Sequence, residues 1–266
     1  MRYITLGAVL ALVIGISIAF GATPEPDDQP PRGALGEFTT DFSRHSVPYS
    51  EIRSGGPAKD GIPAIDAPRY VSIAEADGWL EPQEPVILVE LNGAARAYPV
   101  QILMWHEIVN DELGGTPVAV TYCPLCNTGI AFRREFEGQV LDFGTTGRLR
   151  FSNLVMYDRQ TETWWQQATG EGIVGEHTGR RLEMVPAALV SWADFKTTHL
   201  DGDVLSRDTG HSRSYGRNPY TGYDDVNSQP FLFEGEVDGR YTAMTRIVGV
   251  EVGDDALGVP LVTLQD

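Results

Sequence analysis

Beyond residue 80 the chain reads as short apolar runs separated by turn residues, and the runs carry the period of strands. The stretch "EPVILVELNGAARAYPV" is an apolar run, a turn at Asn92-Gly93 and a second short run, which predicts a hairpin. "VQILMWHEIVNDELGG" reads as a short helical turn ending near Gly114-Gly115, and "TPVAVTY" as a strand that leads into Cys123. "GIAFRREFEGQVLDFG" predicts another hairpin, turning at Glu137-Gly138. "NLVMYDRQTETWWQQ" alternates as two further strands, with Gly172, Gly175 and Gly179 marking turns after them. From His45 to Ser72, Gly and Pro interrupt every period, so that stretch is expected to be an irregular entry segment. No helical period lasts beyond about three turns. The fold is therefore expected to be mainly β, a β-rich α+β class, with twisted antiparallel sheets or a barrel-like core, short helices and long loops.

Three further segments bear on organisation. Arg2 precedes the uncharged run "ITLGAVLALVIGISIAF", and residues 1–22 read as an export signal or an N-terminal membrane anchor. Residues 23–41 form a Pro/Asp-rich linker, and 42–266 are expected to be one domain, placed outside the cytoplasm as a secreted or membrane-anchored unit. "RIVGVEVGDDALGVPLVTL" from Arg246 echoes "PVILVELNGAARAYPVQIL" from Pro85. The echo predicts a duplicated hairpin, with the domain truncated inside its second copy.

Composition narrows the partners. Hydrophobic residues make up 42% of the 266, an ordinary globular share, but Asp and Glu number 37 against 20 Lys and Arg, for a formal net charge of −17. Lysine stands only at Lys59 and Lys196. Such a surface repels phosphate backbones, which excludes nucleic acid as a partner. Carboxylates in excess with almost no lysine point to a halophilic, acidic protein; Arg for Lys by codon bias in a GC-rich genome is the alternative.

The chemistry centres on "TYCPLCNTG", which holds the only two cysteines, Cys123 and Cys126. A C-x-x-C pair serves as a redox couple, as two legs of a metal site or as a structural staple. A strand pattern, "GIAFRREF", comes soon after Cys126, so the pair lies on a strand–loop–strand corner and not at a helix N-terminus, which excludes a thioredoxin-like context. Arg133, Arg134 or His106 remain to supply charge to the thiols. A zinc site needs more ligands than one C-x-x-C. Candidates are His45, His106, His177, His199 and His211, and the soft set Cys123, Cys126, His106 and Met156 suits copper or zinc. His106, in "WHEIVND" between apolar anchors, is the strongest histidine. Tyr157, Trp164 and Trp165 read as core packing. Tyr215, Tyr220 and Tyr223, spaced through Gly and Pro, read as an ordered aromatic loop that lines a groove or covers the core. No nucleotide-binding Gly loop, nucleophile elbow or zinc-protease helix is present.

Together "DGIPAID", "LNGAARAYPVQILMWHEIVNDELGGTPVAVTYCPLCNTGIAFRR" and "FGTTGRLRFSNLVMYDRQTETWWQQATG" resemble the uncharacterised family labelled DUF3179. The resemblance implies an exported, β-rich protein and, because the family's label mentions selenoprotein members, a redox-active Cys123–Cys126 pair. It marks His106, Glu107, Asn153, Trp165 and Gln167 as motif positions without a role. Three functions are compatible with these residues. The first is a thiol–disulfide oxidoreductase in which Cys123 attacks and Cys126 resolves, or both cycle as one disulfide, with His106 as a catalytic candidate and a redox protein or small thiol as partner. The second is a copper- or zinc-binding module; the third is a binding protein with a structural disulfide, whose very short loop limits any stabilisation.

Overall fold

The computed structural model describes residues 29–253 and 255–264; the expected export signal or anchor, 1–22, lies outside them. The first half contains α1 (Ala34–Glu37), β1 (Ile52–Ser54), β2 (Tyr70–Val71), α2 (Ile73–Ala76), β3 (Pro85–Leu91), β4 (Ala94–Pro99), α3 (Val100–His106), β5 (Ile108–Leu113) and β6 (Thr116–Cys123). Next come β7 (Thr128–Arg133), β8 (Glu135–Phe136), β9 (Gln139–Val140), β10 (Phe143–Arg150), β11 (Asn153–Asp158), β12 (Trp164–Gln166) and β13 (Glu171–Val174). The chain continues through β14 (Met184–Val185), β15 (Ala187–Ser191), α4 (Trp192–Thr198) and β16 (Asp203–Leu205), then runs irregularly to β17 (Ile247–Val252) and β18 (Asp255–Pro260).

The fold is mainly β, and among the described residues no sheet closes into a barrel. Three sheets dominate, in the orders β1-β10-β11-β12-β13, β14-β7-β6-β5 and β15-β3-β4-β16-β2. Every pairing in them is antiparallel except β4 with β16. Period-2 alternation explains the stacking. On β3 and β4, Val86 and Ala97 face Trp192 and Phe195 of α4, while Ile87, Val89 and Tyr98 face Val118, Val120 and Tyr122 of β6. The opposite face of β6 presents Ala119 and Cys123 to Phe143, Leu154, Met156 and Trp165 of the first sheet. The far side of that sheet, Ile52, Val155, Tyr157 and Trp164, is covered by Ala34, Phe38 and Tyr49. Both faces of the central strands are thus buried, which is why "TPVAVTY" and "NLVMYD" are nearly continuous apolar runs.

Several expectations change. Helix α3 stops at His106, and Ile108–Leu113, read as the end of a helical turn, is a strand paired with β6. Glu107 adopts φ 60, and this left-handed residue ends the helix without a glycine. Gly172 lies inside β13 instead of marking a turn, whereas Gly175 and Gly179 do have positive φ. Ala34 and Phe38, inside the stretch read as linker, are buried. The second hairpin forms: Ile247 pairs with Pro260 at the same spacing as Val86 with Pro99, and in each case the proline precedes a helical turn.

The irregular segment before β2 docks on a bulge of β10. Gly55 and Asp60 donate backbone hydrogen bonds to the carbonyls of Gly147 and Thr145, 2.8 and 2.9 Å away, where the β10–β11 register shifts. Gly147 has φ +70, and a Cβ there would lie 2.0 Å from the Pro57 carbonyl oxygen. Gly147→Ala is therefore expected to destabilise the fold by about 2–4 kcal/mol. A urea titration would read this as a lower midpoint with an unchanged slope.

Candidate functional site: the cysteine turn and its surroundings

Strand β6 ends at Cys123, and a four-residue turn returns the chain to Thr128, the register partner of Cys123. The Cys126 N–H donates to the Cys123 carbonyl at 3.2 Å, closing a β-turn whose second position is Pro124. Proline presets the φ needed there. Asn127 follows at φ 49, a conformation asparagine tolerates better than most residues. The Tyr122 hydroxyl donates to Asn127 Oδ1 at 2.9 Å and the Thr128 hydroxyl to the Cys126 carbonyl at 3.0 Å, so both flanks of the turn are pinned.

First and fourth residues of a β-turn lie close in space, and the two sulfurs here are 3.2 Å apart, both as free thiols. Their settings differ. Cys123 is 1% exposed inside the core between two sheets, whereas Cys126 is half-buried at its rim. Burial first, then the neighbouring sulfur, pushes the Cys123 thiol well up. Cys126 is lowered, first because it accepts the hydrogen bond of Cys123 and then because it accepts one from the Asn153 amide at 3.5 Å. The Ser152 carbonyl, 3.3 Å from Cys126 Sγ, takes the Cys126 S–H when the thiol is protonated and opposes its ionisation. The two-residue turn Phe151-Ser152 between β10 and β11 delivers that carbonyl. Its φ values of 50 and 62 are ones usually left to Asn and Gly.

The orientation of Asn153 is set by its other contacts. Its Oδ1 accepts from Gln166 Nε2 at 2.5 Å and from the Ala168 backbone N–H at 2.9 Å. A backbone donor fixes which end of the amide is oxygen, so the NH2 group faces Cys126 and Gln167 Oε1. Gln167 Nε2 in turn donates to Thr121 Oγ1 at 3.0 Å and the Thr128 carbonyl at 3.1 Å. A line of amides therefore runs from β6 to the half-buried sulfur of Cys126.

The irregular segment 206–246 crosses the site. Tyr220 is raised by burial, then by the charges of Glu107 and Cys123, and Tyr223, whose hydroxyl accepts from the Phe231 N–H at 2.9 Å, feels both sulfurs. Ser152 donates to the Phe231 carbonyl. The aromatic loop read from the sequence is thus a strap over the cysteines. Its placement had no local signal, because it depends on pairings far away in the chain.

His106 is not brought to the sulfurs. Its Nδ1 lies 2.7 Å from the Pro63 carbonyl and its Nε2 2.7 Å from the Tyr215 hydroxyl, with Thr209 alongside. It fastens the strap at its near end. Arg133 and Arg134 pair with Glu183 and Asp142, away from the cysteines. Met156 is buried in the apolar cluster of Cys123, and Trp165, in the same cluster, donates to Asp158 at 2.9 Å. Among the described residues no group of three or more His, Cys, Asp or Glu side chains is placed to hold a metal, so Cys123, Cys126 and His106 do not converge on one point. Glu107 sits at 7% exposure, with the charge of Cys123 acting on it and its own charge acting on Cys126.

A family model described as "Protein of unknown function (DUF3179)" matches residues 59–266. No curated protein and no solved structure gives a match.

This geometry has two measurable consequences. Asn153→Ala removes a hydrogen bond to ionised Cys126, so alkylation of that thiol near pH 7 is expected to slow roughly three- to tenfold, measured with iodoacetamide under pseudo-first-order conditions. Burial, then the charges of His211 and Arg213, lower His106 to about 4. The folded state thus binds the His106 proton more weakly than the unfolded chain. Stability is fully present above the unfolded value and is lost as pH falls toward about 4. His106→Gln is expected to remove on the order of 2 kcal/mol of that acid sensitivity, read from urea midpoints at neutral and acid pH.

Proposed function

The chain belongs to the DUF3179 family, whose description assigns no function, and we propose that it is a thiol–disulfide redox protein in which Cys126 attacks and Cys123 resolves. The observation that carries this reading is the pair of free sulfurs 3.2 Å apart, one enclosed in the core and one at its rim. The order is the reverse of that expected from the sequence, where Cys123 came first. An attacking thiol needs access and thiolate character, and on both counts Cys126 is the better placed: it is the less buried sulfur and it accepts hydrogen bonds from Cys123 and Asn153.

In the forward direction the Cys126 thiolate attacks a substrate disulfide R–S–S–R′ and forms a Cys126–S–S–R bond, and R′S⁻ leaves. The Cys123 sulfur then displaces RS⁻ from Cys126. Two electrons pass to the substrate and the protein is left as the Cys123–Cys126 disulfide. Substrates of this class are disulfides of partner proteins or of small thiols. The setting is outside the cytoplasm, in keeping with the apolar run that follows Arg2, where disulfides persist.

Acid-trapped thiol counts across a series of thiol/disulfide buffers give the direct test. Two thiols should disappear together at one measurable potential. Cys123→Ser should accumulate a mixed disulfide on Cys126. Cys126→Ser should lose exchange by on the order of a hundredfold or more, since the remaining thiol is buried and protonated. Stoichiometric copper or zinc that leaves with either Cys→Ser change, without thiol exchange, would replace this reading by the metal-binding one.

A further inference from the structure

Strand β5 and the residue before it carry two buried acids, and the fold treats them in opposite ways. Asp111 accepts from Arg96 Nη1 at 2.8 Å, from the Tyr98 hydroxyl at 2.6 Å and from the Tyr70 hydroxyl, and its Oδ1 also takes the Glu112 N–H. That is a structural carboxylate with its charge fully met. Glu107 is also buried, yet among the described residues its carboxyl has no hydrogen-bond partner. Burying an unpaired carboxyl is costly and is seldom kept for stability alone.

The surroundings of Glu107 are those of the cysteine turn. Its carbonyl accepts the Tyr122 N–H at 2.8 Å, one residue before Cys123. The titratable groups in electrostatic contact with it are Cys123 and Cys126 of the turn and Tyr220 of the strap; Tyr122 of β6 and Tyr223 feel the same two sulfurs, and the Arg246 charge acts on Tyr122. His106, next in the chain, directs its ring to Pro63 and Tyr215 instead.

We propose that Glu107 is the proton acceptor for the Cys123 thiol when the disulfide closes. The inference rests on the dithiol reading above. Closure needs a thiolate at Cys123, and burial keeps that thiol protonated. With Cys126 bonded to R, the Cys123 S–H bond breaks and its proton passes to the Glu107 carboxylate. No direct hydrogen bond joins the two groups, so one water carries the proton between them. The Cys123 sulfur attacks Cys126 Sγ, the Cys126–S–R bond breaks, and RS⁻ leaves with the electron pair. Protonated Glu107 then loses its proton to the departing thiolate or to solvent. Burial, with the Cys123 charge second, raises Glu107 to about 8, which makes its carboxylate a stronger base than an ordinary one and disfavours charge on carboxylate and thiolate at once.

The reduced full-length chain, mixed with an aromatic disulfide whose thiolate is coloured, separates the two steps. The wild type should release one equivalent on attack by Cys126 and a second on closure, with the closing rate rising to a plateau above pH about 8. Glu107→Gln should not slow the first release, since the lost carboxylate charge only disfavoured the Cys126 thiolate, but should slow the second by on the order of a hundredfold near neutrality and move its pH midpoint upward. Glu107→Asp should recover part of the loss. Closure in Glu107→Gln at the wild-type rate and midpoint would exclude Glu107 as acceptor while leaving the dithiol reading intact. A wild type that releases one equivalent or none would remove both. Should Glu107→Gln not fold, the wild-type profile decides, because closure without an inflection near pH 8 overturns the assignment.

Discussion

A β-turn placed at the mouth of a buried strand governs what this molecule can do. Strand β6 is covered on both faces, so its last residue, Cys123, ends inside the core. The turn then brings the fourth residue, Cys126, back against the first from outside the core. Identical thiols three positions apart acquire opposite shifts, because desolvation penalises one thiolate and hydrogen bonds favour the other. Thioredoxin-like proteins obtain such asymmetry from a helix N-terminus. Here it comes from the boundary between a sheet interior and its rim.

Much of the scaffold was legible because short-range chemistry dictated it. Asn92-Gly93 and Glu137-Gly138 supply the positive φ that hairpin turns require, and both turns form where the sequence places them. Alternation was harder to read where both faces are buried, and "HEIVNDEL" has apolar spacing that fits a helix as well as a strand. Glu107 decides the matter by adopting a left-handed conformation, and nothing in its side chain announces that. Of the site, the cysteine corner was visible from its flanks. The Ser152 carbonyl and the Asn153 amide were not, since each reaches the sulfurs only through the packing of one sheet on another. His106 was the most attractive partner in the sequence, but the end of α3 sends its ring to the Pro63 carbonyl and the Tyr215 hydroxyl.

The amide line explains why Asn153 and Gln167 belong together. An asparagine presents either end of its amide with equal ease, and only the NH2 end favours a thiolate. The Ala168 N–H and Gln166 Nε2 hold the oxygen end, Gln167 occupies the same NH2 group that reaches Cys126, and Thr121 and the Thr128 carbonyl hold Gln167. Orientation is thereby inherited from the Ala168 backbone and from Thr121 and Thr128 of β6 and β7, the strands that flank the cysteine turn. A shift of the turn relative to β11 disturbs the hydrogen bond and the sulfur geometry together.

His106 and Glu107, adjacent in sequence, serve the site from two sides because the helix ends between them. One residue ties Tyr215 and Thr209 at the entrance of the 206–246 segment; the other lies within the charge field of both sulfurs and of Tyr220. Besides this tie, the strap is held near its start by Arg207, which donates to Gln101 and the Trp79 carbonyl, and farther along by the Ser152 hydroxyl on the Phe231 carbonyl, Phe233 against Phe151 and the exposed Arg53–Glu234 pair. Exposed ion pairs contribute little, so the buried tie at His106 is the firmer end. The segment's Tyr220 and Tyr223 lie within the charge field of the sulfurs. The same helix terminus that anchors this segment at His106 thus also places Glu107 within the charge field of the sulfurs.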